Sequence, residues 1–136
     1  IEFNVRFGDP EAQVVLPQYT GDFYDLISQL MIGQTPTVRW QNTDVYVGVV
    51  LVAAGYPQAP VKGAVVPTAD AVTPLIINFA GVKNGVANGG RVATVVAHDI
   101  SATLAQKSVY NKINLLDTSL EYRHDIAYQA VNHEEN

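Results

Sequence analysis

The chain opens on a period of two. Phe3, Val5 and Phe7 interleave with Glu2, Asn4 and Arg6, which predicts a strand with one apolar and one polar face. The period breaks at "GDPEAQVVLP", where Asp9 as N-cap and Pro10 as first helical residue predict a short helix ending before Pro17. A second helix is predicted over "GDFYDLISQLMIG": Asp22 caps it, Phe23, Leu26, Ile27, Leu30 and Met31 recur at helical spacing, and Gly33 closes it. Its apolar face requires a packing partner. From Val38 the pattern turns into short β-rich runs separated by Gly, Pro and Asn, namely "TVRW", "VYVGVVLVAA", "GAVV", "LIINFAGV" and "GRVATVVAHD". A third helix follows, capped by Ser101, with Ala102, Ala105, Val109, Ile113 and Leu116 on one face to cover the sheet. The tail turns polar, and residues 129–136 are expected to be disordered.

These elements define an α+β fold: a small antiparallel β-sheet or half-barrel covered by helices, preceded by a terminal strand and helix. With 136 residues, 48% of them hydrophobic, the chain holds one core-bearing domain plus a fragment. Because it starts inside a strand without an initiator Met, it is expected to be the back part of a longer chain. Eight Lys and Arg against thirteen Asp and Glu, with no basic cluster, leave no footprint for nucleic acid. The absence of Cys removes disulfides, thiolate nucleophiles and Cys-ligated metals and suits a reducing cytosol. The longest apolar run, Val45 to Gly55, falls short of the roughly 20 residues of a membrane helix, so no membrane partner is expected.

The polar face of the opening strand carries the first candidate chemistry. Glu2 and Asn4 offer hard oxygen donors roughly 7 Å apart along a strand, within reach of one Mg²⁺. Arg6 adds a fork for phosphate or carboxylate. The same alternation is also what an ordinary solvated sheet face shows. His98, His124 and His133 lack metal-ligand spacing.

The continuation narrows these alternatives. "EFNVRFGDPEAQVVLP" resembles the end of the ATP-grasp domain in the phosphoribosylamine-glycine ligase (glycinamide ribonucleotide synthetase) family, whose signature is "RFGDPE" followed by Gln at position 13. Further on, "TGDFYDLI", "AAGYPQAPVKG", "AGVKNGVANGGRV" and "YRHDIA" resemble that family's "SGDLYE", "GGYP…KG", "AGT…GGRV" and "YRRDIG", in the same order. The resemblance implies that residues 1–18 end an ATP-grasp domain, that 19–128 form the family's C-terminal domain, and that the parent is a cytoplasmic, monomeric ligase. It implies the conversion of glycine, 5-phosphoribosylamine and ATP into glycinamide ribonucleotide, ADP and phosphate through a glycyl phosphate. Glu2 and Asn4 match the family's Mg²⁺ or Mn²⁺ ligands. Arg6, as catalytic and substrate-binding group, and Gly8 match positions lining the substrate and phosphate pocket, while Lys62 and Arg91 are further substrate-binding candidates. Asp9 and Glu11 are expected to serve the helix, as cap and first-turn carboxylate, more than the chemistry.

The chain departs from the pattern at Gln58, Pro60, Phe79 and Val82, which puts in doubt any role for those side chains, and at Ala12, which is harmless in a helical first turn. The rival readings are another ATP-grasp carboxylate-amine ligase or carboxylase and a non-catalytic β-rich binding module. A carrier module is disfavoured because neither Lys62 nor Lys83 has carrier flanks and the single Met31 sits in a predicted helix. The isolated 136 residues, holding one edge of a two-lobed nucleotide cleft, are expected to be inactive.

Overall fold

The computed structural model describes residues 3–134 and has the expected α+β architecture, a small antiparallel sheet with helices against it. Its centre is β5 (Arg91–Asp99), flanked by β1 (Val45–Val52) and β2 (Ile76–Phe79) in the order β1-β5-β2, both neighbours antiparallel to it. Central position explains why β5 reads as a continuous apolar run, with Val92 to Ala97 all buried, whereas β1 alternates. Val47, Val49 and Leu51 of β1 stand opposite Ala97, Val95 and Ala93, so these pairs share the inner face.

That face is closed by α4 (Ala102–Ile113), where Ala102, Ala105, Val109 and Ile113 are buried at the predicted spacing. The Ser101 side chain accepts from Leu104 N–H at 3.2 Å, as expected of its cap. Two residues in every four along this face are Ala, which lets the helix backbone approach the β-branched sheet. β3 (Val82–Lys83) and β4 (Val86–Ala87) form a hairpin over Asn84 and Gly85, both at positive φ, the backbone geometry of a tight primed turn. A short α3 (Ala69–Val72) starts at Thr68 and buries Val72.

Residues 3–44 are built differently. α1 (Glu11–Val15) and a 3₁₀ turn (Leu16–Gln18) lead into α2 (Phe23–Met31), and none of the three has a buried residue. α2 has the predicted Asp22 cap, whose carboxylate accepts from Tyr24 and Asp25 N–H. Its apolar stripe is nonetheless open, with Leu30 53% and Met31 83% exposed, so the packing partner expected for it is not found among the described residues.

Three sequence expectations need correction. Residues 3–8 form no strand; no neighbour supplies their ladder hydrogen bonds among the described residues, and Phe3 and Val5 stand fully in solvent. "TVRW" and "GAVV" reduce to the isolated bridges Tyr19–Trp40 and Val65–Val86. The tail expected to be disordered instead forms α5 (Tyr128–Glu134). The Glu134 carboxylate sits on the first turn of α4, accepting from Thr103 N–H at 3.0 Å, Ala102 N–H at 2.6 Å and Thr103 Oγ1 at 2.8 Å. It thereby satisfies donors that a helix leaves open at its N-terminus.

Ile113→Ala is expected to lower unfolding stability by about 2–5 kcal/mol in urea titration, because it leaves a cavity under the sheet. Leu115→Ala, at a side chain 82% exposed, should change it by less than about 0.5 kcal/mol. The hydrogen bonds from Thr103 and Ala102 hold Glu134 below its ordinary value of 4.5, so its contribution is complete above that value and is lost as pH falls through the lower folded value. Thermal melts through the acid range should therefore show a shallower acid limb for Glu134→Gln than for the native chain; equal slopes would contradict the contact.

Candidate functional site

The signature run forms a turn tied by hydrogen bonds among its own groups, although Gln13 Oε1 is buried with no hydrogen-bond partner among the described residues. Gly8 N–H donates to Glu11 Oε2 at 2.8 Å, and Ala12 N–H donates to Gly8 O at 3.0 Å. Gln13 Nε2 donates to Asp9 Oδ1 at 2.8 Å. The residue before the helix is Pro10, and no side chain caps it. Asp9 is thus not the N-cap that the sequence predicts; its carboxylate is drawn forward to Gln13 and sideways to Arg91. Glu11 is the first-turn carboxylate expected, and it also closes the loop back onto Gly8.

Arg91 reaches this turn across 82 residues of sequence: Nη1 donates to Asp9 O at 2.9 Å and lies 3.3 Å from Asp9 Oδ2. The turn is seated on the sheet by α1, whose Val14 lies over Gly48 of β1; a Cβ at Gly48 would come within 2.8 Å of Val14 Cγ2. Glycine at that position is therefore what admits the helix. Arg91 is delivered by the "NGGRV" turn, and the ring of Tyr56 packs directly on Gly90.

Between the signature turn and the sheet lies a cleft of about 490 Å³, floored by Val50 and Val52, walled by Pro10 and Tyr122, and edged by Arg91 and Arg123. Its size and largely apolar lining suit a small molecule with an anionic end. The Arg123 guanidinium is held by Asp125 through Nε at 2.9 Å and Nη2 at 2.7 Å, and this bidentate contact keeps the Asp125 carboxyl below its ordinary value. Tyr110 of α4 pins the segment, donating to Arg123 O at 2.6 Å and accepting from Ile126 N–H at 3.0 Å.

Of the residues singled out by sequence, Glu2 lies outside the described residues, and Asn4 is exposed in irregular backbone. Arg6 is exposed and its Nη1 donates to the neighbouring Phe7 O at 2.9 Å. Gly8 and Arg91 meet through Asp9. Lys62 stands exposed in the loop after Pro60, with no hydrogen bond or ion pair among the described residues. Sequence reasoning did not single out Arg123, Asp125 or Tyr122 as site residues, although they form the core of the quoted "YRHDIA" motif. The three histidines join no metal cluster, and the described residues contain no group of three or more His, Cys, Asp or Glu able to hold one. His98 instead pairs with Asp44 at 2.7 Å and stacks on Tyr46 at the opposite end of β1 and β5 from Arg91.

A helix-covered antiparallel sheet thus receives an arginine-clamped "RFGDPE" turn on its outer face. The chain belongs to the phosphoribosylglycinamide synthetase C-domain family, whose model matches residues 46–129. Residues 19–45, which the sequence reading assigns to the same domain, lie outside that match. The phosphoribosylamine-glycine ligase of Streptococcus pyogenes serotype M18 is 39% identical over 138 aligned residues, covering 96% of this chain and 32% of that protein. The Lactococcus lactis enzyme of the same name is 38% identical, covering 96% of this chain and 33% of that protein. The crystal structure of phosphoribosylamine-glycine ligase from Thermotoga maritima superposes with a TM-score of 0.74 at 32% identity, over 92% of this chain and 32% of that one. The chain thus spans about a third of the length of the relatives it matches.

Ala127 closes the "YRHDIA" motif at φ +65°, in the left-handed region, where the family motif ends in Gly. A left-handed Ala costs roughly 1–2 kcal/mol, against which stand the greater chain entropy of an unfolded Gly and the loss of a partly buried methyl. Ala127→Gly is expected to raise unfolding stability by about 0.5–1 kcal/mol in urea titration; a loss of stability would show that the methyl outweighs the strain.

Proposed function

We propose that the protein carrying this chain is a cytoplasmic ATP-dependent ligase that joins glycine to 5-phosphoribosylamine. The glycine carboxylate attacks the γ-phosphorus of ATP and ADP leaves. The amine then attacks the acyl carbon, phosphate leaves with one carboxylate oxygen, and glycinamide ribonucleotide forms as the amine loses a proton. In this reading residues 1–18 end the ATP-grasp domain, residues 19–128 form the C-terminal domain, and the full-length enzyme is a monomer. The observation that carries it is the "RFGDPEAQ" run, folded as one closed turn and locked onto a domain of the matching family.

Glu2 and Asn4 are assigned to Mg²⁺ or Mn²⁺. A carboxylate and an amide oxygen are the hard donors such ions take, and Asn4 stands exposed, so the donor set fits. With no acidic cluster beside them among the described residues, they would be two ligands of a shell completed by nucleotide oxygens and water. A bound ion there would neutralise charge developing on the transferred phosphoryl group. The exposed Arg6 guanidinium is assigned to clamp a phosphate or carboxylate oxygen, which makes it the catalytic group of this segment. Gly8 is assigned to the same pocket through its backbone; a Cβ there would meet Glu11 Oε2 at 2.9 Å, so glycine is what lets the loop close. Lys62, exposed and unpaired among the described residues, is assigned to a more distant substrate anion.

In the full-length protein, Asn4→Ala or Glu2→Ala is expected to lower glycine- and phosphoribosylamine-dependent ADP release by more than about 100-fold. For Asn4→Ala the midpoint of thermal unfolding should move little, since the residue is exposed. Near-native turnover in either variant overturns the metal assignment.

A further inference from the structure

We infer that Arg91 is a positioning residue: its guanidinium fixes the Gly8–Pro10 turn to the head of β5, and through that turn orients Asn4 and Arg6. The inference rests on the ligase reading above and assigns Arg91 a task other than direct substrate contact.

The geometry is specific. One guanidinium nitrogen serves both the backbone carbonyl of Asp9, at 2.9 Å, and its carboxylate, at 3.3 Å. The other carboxylate oxygen is taken by Gln13, so both oxygens of Asp9 are engaged within the fold and neither is directed to proton transfer. The anchor on the other side is stiff. Arg91 begins the strand that pairs with both β1 and β2, and the residues after it are buried on both faces. Apart from Val14 over Gly48 and the turn's own hydrogen bonds, few contacts hold it: Phe3, Val5 and Phe7 are exposed, α1 has no buried residue, and the backbone before Gly8 is irregular.

An exposed ion pair of this kind, with side chains 46% and 43% accessible, adds little to global stability. Its consequence is local. Catalytic groups displaced by about 1 Å lose roughly 100-fold in rate, so a clamp that costs little when removed from the fold can still govern turnover. Arg91 would then be read by kcat, where a substrate contact would be read by KM.

The test uses the full-length protein with Arg91→Ala, Arg91→Lys, Asp9→Ala and the Arg91→Ala/Asp9→Ala double variant. It measures kcat, KM for phosphoribosylamine, and hydrogen exchange at the Ala12 amide, which is bonded to Gly8 O. Expected are a kcat lowered about 10- to 100-fold in Arg91→Ala and in Asp9→Ala, with KM within about threefold. The double variant should fall no further than the worse single variant. Arg91→Lys should recover part of the rate, since an ammonium keeps the charge but lacks the planar fork. Exchange at Ala12 should accelerate in both alanine variants while β5 amides stay protected. A KM raised more than about tenfold in Arg91→Ala, with Asp9→Ala indistinguishable from native, overturns the inference and makes Arg91 a substrate contact. If the native full-length protein has no ligase activity, the functional reading fails by itself, and Ala12 exchange decides the clamp: acceleration supports it and no change overturns it. Should Arg91→Ala not fold, Asp9→Ala and Arg91→Lys carry the same comparison.

Discussion

Everything in this structure hangs on the burial of β5 between β1 and β2 beneath α4. Antiparallel pairing along β1 from Val45–Asp99 to Val52–Arg91 fixes which side chains meet the helix. A one-residue slip would turn Val47, Val49 and Leu51 outward and bring Gly48, with Val50 and Val52, under α4, leaving a gap in the core at Gly48 and α1 without its seat. The two faces of β1 therefore have separate duties: branched side chains inward for the core, and a glycine outward where α1 must come close.

The polar contacts fall into the same order. Within the core the described residues show no ion pair; charged side chains instead tie a loop to the sheet at Asp9 and Arg91 and the C-terminal helix to the start of α4 at Glu134, while Arg123 and Asp125 pair within one segment. Each is exposed and adds little to global stability, but each helps select one arrangement of its segment. α5 is the clearest case, because its polar sequence gives no burial that would hold it and a single carboxylate docks it to two backbone amides.

The fold was legible wherever periodicity and capping agreed. Asp22 and Ser101 are caps, and Ala102, Ala105, Val109 and Ile113 are the buried face, as their spacing predicts. Periodicity misled at residues 3–7, because alternation describes what a strand could bury and not whether a neighbour exists to pair with it. It also passed over the β3–β4 hairpin, although Asn84-Gly85 is a strong short-range turn signal. At the site, the local motif was readable and its long-range partner was not: nothing in Asp9 or Arg91 alone says that residues 82 apart in sequence will touch. Asp9 has the composition of an N-cap, but a competing guanidinium and the Gln13 amide claim its carboxylate first.

In the proposed function, a charge-clamped turn on a small β domain presents one edge of a site for acyl phosphate chemistry. The most direct measurement supplies the full-length protein with ATP, phosphoribosylamine and glycine carrying ¹⁸O in its carboxylate, and reads the phosphate released by mass spectrometry. Transfer of one ¹⁸O from each glycine consumed into phosphate is the predicted result, since glycyl phosphate breaks between the acyl carbon and the bridging oxygen. Product formation with unlabelled phosphate would contradict it.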